Sequence, residues 1–150
     1  MKIAINECYG GFSLSPLAVK ELAKMRNKEC YFFEMELFTE KYKSISIEQA
    51  EKSKCWFAYS VPNPQDYKLT ERGLDGSYTD ANKRSEEISL NNRPCNRDDK
   101  DLIFIIENLG EKANGIFAKI KIVEIPDDIE YTIEEYDGRE WIAEKHRTWE

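Results

Sequence analysis

Two short runs near the end of the chain, Tyr131 to Tyr136 and Arg139 to Lys145, alternate apolar and polar residues and are joined by Asp137-Gly138. Both joining residues accept positive φ, so the pattern predicts a β-hairpin with a two-residue turn. That turn length sets the register: Tyr136 faces Arg139, Glu134 faces Trp141, Ile133 faces Ile142 and Thr132 faces Ala143. Tyr131, Ile133 and Ile142 then share a face that reads as core.

The same reading from the start of the chain predicts a strand over Met1 to Asn6, then a glycine turn, Cys8-Tyr9-Gly10-Gly11-Phe12. Ser15 suits a helix N-cap and Pro16 the first helical position, with Leu14, Leu17, Ala18, Leu22 and Met25 as an apolar stripe. Tyr31 to Leu37 alternates as a strand, with Tyr31, Phe33, Met35 and Leu37 on one side. A short capped helix follows over Ser46 to Lys54, then a strand over Cys55 to Val61 that ends at Pro62-Asn63-Pro64. Pro62 to Arg97 is polar and broken by Gly73, Gly76 and Pro94. It reads as a long insertion with short extended pieces around Tyr78 and at Glu87 to Leu90, either a plain surface excursion or a segment that binds something or crosses to a partner subunit.

Asp98 is placed to cap a second helix, with Asp101 in a capping-box-like position, Leu102, Ile103, Ile105, Ile106 and Leu109 as its apolar face, and Gly110 as its stop. Ile116 to Ile125 is β-prone, and its apolar phase shifts at Ile122-Val123, which fits a bulge or burial on both faces. The predicted fold class is α+β, with α/β as the alternative: one compact domain with a mixed sheet, two main helices and a C-terminal hairpin.

The length of 150 residues suits a single domain. A balance of 22 basic against 29 acidic residues, net charge -7, disfavours an extended grip on nucleic acid or anionic membrane. No apolar run approaches the ~20 residues of a membrane helix. Cys8, Cys30, Cys55 and Cys95 are scattered, and the opening Lys2-Ile3-Ala4-Ile5 reads as strand rather than signal peptide, which together suggest reduced thiols in the cytoplasm. A single histidine and dispersed cysteines do not supply metal ligands at zinc-like spacing, and no cofactor is expected.

Candidate chemistry gathers at both ends. A strand, a glycine loop and a helix start, spanning Asn6, Cys8, Tyr9, Gly10, Gly11, Phe12 and Ser13, is a general recipe for holding phosphate on backbone N–H groups; it is equally a tight turn. Arg93 and Arg97 precede the second helix, either as a phosphate clamp or paired to Asp98 and Asp99. The hairpin delivers His146, Arg147 and Trp149 beyond its second strand. Nothing local pairs His146 with a nucleophile such as Cys8 or Ser13, so a non-enzymatic reading leads. The expected ligand is a small phosphorylated nucleotide, its anion held by Gly10-Gly11 with Arg93, Arg97 or Arg147 and its base on Tyr9, Phe12 or Trp149. The competing class is a protein-docking patch of Tyr136, Arg139, Trp141 and Trp149. A homo-oligomer fits either.

The opening Met1 to Asn6 with Cys8-Tyr9-Gly10-Gly11-Phe12-Ser13-Leu14-Ser15, the segment Lys121 to Asp128, and the ending Glu135-Tyr136-Asp137-Gly138 through Glu144-Lys145-His146-Arg147-Thr148-Trp149 resemble a group of small proteins encoded by bacteriophages and prophages. The likeness covers roughly half the chain and implies an accessory role, such as sequestering the nucleotide signals of host immune systems. Lys2 to Leu14 also looks like the start of the type B ribose-5-phosphate isomerases. Asn6, Glu7, Cys8 and Tyr9 stand where that family carries an acid-histidine pair, so this likeness implies an α/β layout with a sugar-phosphate-sized pocket rather than the activity.

Overall fold

A computed structural model describes residues 1–36, 39 and 41–145. Along the chain come β1 (Lys2–Asn6), α1 (Pro16–Met25), β2 (Tyr31–Met35), β3 (Tyr42–Ile45), α2 (Ile47–Lys52), β4 (Phe57–Tyr59), α3 (Thr79–Ile88), α4 (Lys100–Leu109), β5 (Ile120–Glu124), β6 (Tyr131–Tyr136) and β7 (Arg139–Glu144). The α+β class holds. The strands form three separate antiparallel sets among the described residues, β1-β5, β3-β2-β4 and β6-β7, rather than one mixed sheet. None pairs in parallel, so the alternative α/β layout is not what these residues build.

Backbone contacts divide the chain into two compact units, Met1–Ala18 with Asn92–Glu150, and Val19–Asn91; the division falls inside α1. In the first unit, β1 hydrogen-bonds along one edge to β5, in unbroken register from Lys2↔Glu124 to Asn6↔Ile120. The expected bulge at Ile122-Val123 is therefore absent. The phase shift reflects burial on both faces, since Ile122 and Val123 are each half-buried, and α4 packs against both β1 and β5. The strand is also shorter than expected, because Ile116 and Phe117 form an exposed turn before it.

The outer edge of β1 has no strand partner among the described residues. Its N–H groups are met by other acceptors: Ala4 N donates to Arg97 O at 2.9 Å and Asn6 N to Glu140 Oε2 at 2.9 Å. The hairpin β6-β7 has the predicted register throughout, from Tyr136↔Arg139 to Tyr131↔Glu144. Ser15 Oγ caps α1 by accepting from Ala18 N and donates to Lys112 O. In α1 the buried apolar set is Ala18, Val19, Leu22 and Ala23, with Met25 exposed. The cap of α4 is Asp99, whose Oδ1 accepts from Leu102 N at 2.9 Å, one residue beyond the expected Asp98. Leu102, Ile103, Ile105 and Ile106 bury the expected face.

In the second unit β2 is central, with Phe32 and Phe33 both buried, so it is covered on two faces instead of the one that alternation suggested. The expected position of Leu37 on that strand lies outside the described residues. Ser46 and Gln49 close a reciprocal capping box on α2. Phe33, Tyr59 and Ile88 form a core ringed by Tyr31, Tyr42, Phe57, Val61, Tyr67 and Leu69. The polar stretch expected as an insertion holds α3. Its sequence TDANKRSEEI buries only Ala81 and Ile88, too few to print a helical apolar period. Of the extended pieces expected there, the one at Glu87 to Leu90 is reduced to Ser89-Leu90, because Glu87 and Ile88 belong to α3. Ser60 N donates to Ile88 O and Leu90 N to Ala58 O, while Tyr78 is the residue that precedes α3 and is not extended.

Candidate functional site

The glycine loop after β1 is closed off by protein at Gly10 and along the backbone from Tyr9 to Gly11. A side chain on Gly10 would overlap the Phe117 carbonyl, and one on Gly138, at the hairpin turn, would meet Tyr9 O and Gly11 N. Gly11 and Gly138 both have positive φ, at 85° and 86°. The expected anion cradle is therefore the seat of the hairpin tip. Asn6, fully buried, stitches it together: Nδ2 donates to Cys8 O and Gly138 O, each at 2.7 Å, while Oδ1 accepts from Lys119 N at 2.8 Å and from Cys8 Sγ at 3.3 Å. Cys8 Sγ also faces Phe117 O at 3.1 Å. Ser13 O accepts from Gly115 N at 2.8 Å.

Arg97 and Phe12 are likewise committed inward. The Arg97 guanidinium lies 3.6 Å from the centre of the buried Phe12 ring and makes a bidentate pair with Glu140. Neither is open to a ligand: Arg97 pairs with a carboxylate distant in sequence rather than with Asp98 or Asp99. Arg93 is exposed. Of the expected ligand residues, His146, Arg147 and Trp149 lie outside the described residues.

Among the described residues, the aromatic of the predicted set that stands open is Tyr9, 61% exposed. It borders a cleft of about 550 Å³ with Ile5, Glu7, Lys121, Tyr136, Arg139, Glu140 and Trp141. Three local arrangements place these groups. The β1-β5 register sets Ile5 against Lys121, and Glu7 N bonds Lys119 O, so Glu7 and Lys121 share a sheet face. The hairpin register puts Tyr136, Arg139 and Trp141 on one face of β6-β7. The Trp141 indole N–H donates to Glu134 Oε2 at 3.0 Å, which holds the ring.

The charges in this cleft are unequal in availability. Glu140 is spent on Arg97 and the Asn6 N–H. Glu7 pairs with Lys119 at 2.7 Å, and that hydrogen bond and charge hold its carboxyl below the usual range, with smaller help from Lys121 and Arg139. Arg139 and Lys121 make no ion pair among the described residues. The result is aromatic surface beside two available cations, in a volume suited to a small ligand. A second cleft of about 550 Å³ lies beside α4, around Ile103 and Phe104. Its Lys2 is paired to Glu107 and its N-terminal amino group to Asp127.

Comparison of the chain with protein families, with curated proteins and with solved structures finds no match. Sequence reasoning had singled out Tyr136, Arg139 and Trp141, though for docking, and had passed over Glu7 and Lys121. Their signal lies in the β1-β5 pairing, which joins segments more than a hundred positions apart.

Proposed function

We propose that the protein binds a small phosphorylated nucleotide in the Tyr9-Tyr136-Trp141 cleft and holds it unaltered. The observation carrying this reading is the conjunction of three open aromatic rings with Arg139 and Lys121, while the neighbouring carboxylates are already paired. Stacking on aromatic faces and cation contacts to phosphate give affinity without chemistry. The resemblance to small phage and prophage proteins supports a sequestering role against a nucleotide immune signal, exercised in the host-cell cytoplasm by a homo-oligomer.

Incubating the purified protein with a panel of cyclic and linear nucleotides, then releasing bound material by heat, tests this directly. Recovery of intact nucleotide at stoichiometric amounts is the expected result, and native mass spectrometry reports the subunit number alongside. A chemically altered ligand would make the protein an enzyme, and no uptake would reject nucleotide binding.

A second reading rests on exposure: Tyr136 is 73% and Trp141 42% accessible on one hairpin face, a suitable anchor for a host protein. A stoichiometric protein partner recovered from host lysate, lost in Trp141→Ala, would favour that reading over sequestration.

A further inference from the structure

The Glu7 carboxylate is out of place in a site for an anion unless it meets a hydrogen-bond donor. One oxygen, Oε1, is held by Lys119 at 2.7 Å; Oε2 has no hydrogen bond among the described residues. An ionised carboxylate can only accept, and it repels phosphate. Its position narrows the choice of donor. Glu7 is two residues from Tyr9, on which a base can stack, and shares the β1-β5 face with Lys121, which can take a phosphate. Along the chain it falls between Tyr9 and Ile5, the register partner of Lys121. In a nucleotide, the part that lies between base and phosphate is the sugar, and its donors are the ribose hydroxyls.

Resting on the nucleotide reading above, we infer that Glu7 accepts a hydrogen bond from a ribose hydroxyl, so that the cleft takes ribonucleotides in preference to 2′-deoxyribonucleotides. The 2′-hydroxyl is the group by which a protein tells the two sugars apart at a given position, and a carboxylate is a fitting acceptor for it. Losing a hydrogen bond to a charged acceptor corresponds to roughly tenfold or more in affinity.

Calorimetric titration of the full chain tests this with the 3′,5′-cyclic and 5′-monophosphates of adenosine and guanosine and their 2′-deoxy counterparts. The wild-type protein is expected to favour the ribonucleotide by about tenfold or more. In Glu7→Ala the ribonucleotide falls to the level of the deoxy compound, whose own binding is unchanged or improved because a repelling charge is gone. Glu7→Gln, which keeps an acceptor oxygen, retains part of the preference. Equal affinity for both sugars in the wild type overturns the inference and leaves nucleotide binding intact. Equal weakening of both ligands in Glu7→Ala makes Glu7 a structural residue and overturns its assignment. Failure of every compound to bind removes both this inference and the reading beneath it.

Discussion

Arg97 grips Glu140 with both arms of its guanidinium, Nη1 to Oε2 at 2.8 Å and Nη2 to Oε1 at 3.0 Å, across 43 positions of sequence. The two side chains are only 14% and 10% exposed, and Glu140 also receives the Asn6 N–H, so this pair ties the hairpin to the free edge of β1. Removing one partner leaves an uncompensated charge in a poorly solvated place. Glu140→Ala and Arg97→Ala are each expected to lower stability by about 3 kcal/mol. Urea denaturation of both single variants and the double variant checks it, since the double variant should fall well short of the sum.

Asn6→Asp tests the buried amide at the heart of the same region. The substitution removes the Nδ2 donor and sets an oxygen against Cys8 O and Gly138 O, so a loss of about 2 kcal/mol or more is expected. A melting temperature within a degree of wild type would show that the amide can be dispensed with.

The adjacent glycines should differ in their tolerance of substitution. Gly10→Ala drives a methyl group into the Phe117 backbone carbonyl, whereas Gly11→Ala meets open space and is charged only for its positive φ. The second change is expected to cost about 1 kcal/mol and the first clearly more. Thermal denaturation of the two variants under identical conditions ranks them.

In the cleft the pattern should reverse, with binding affected and stability spared. Tyr136→Ala and Arg139→Ala alter exposed groups outside the core and are expected to shift stability by no more than about 0.5 kcal/mol. On the proposed function, each reduces nucleotide affinity by roughly tenfold or more. Fluorescence or calorimetric titration next to a melting curve separates the two effects.

Burial pushes the Cys30 thiol up to about 11, with nearby Lys20 only partly opposing it. Because the fold favours the neutral thiol, its contribution to stability is complete below the ordinary value of 9.0 and declines as pH rises through the interval up to about 11. Alkylation at pH 8 should therefore modify the exposed Cys55 and Cys95 well before Cys30, as peptide mass mapping over time would record.

Local chemistry made much of this fold readable. Asp137-Gly138 set the hairpin register residue by residue, and Ser15-Pro16 marked the start of α1. The capping of α4 was displaced by one position because Asp98 and Asp99 are both competent caps. Helix α3 escaped notice because it buries only two residues, and β3, the four residues YKSI, carries no apolar alternation of its own. The site was legible only in part. Arg97 reads from the sequence as a phosphate clamp or a partner of Asp98 and Asp99, because its partner Glu140 is remote in sequence, and the joint appearance of Glu7 and Lys121 depends on the pairing of β1 with β5.

A hairpin tip is ordinarily the easiest place in a small protein to splice in a tag or a reporter peptide, and Asp137-Gly138 would be an engineer's first choice. Here that tip is wedged against Tyr9 and Gly11 and held by the Asn6 amide, so an epitope inserted there should unseat the loop beneath it. The segment around Leu74, whose side chain projects fully into solvent, is the better site for such a graft.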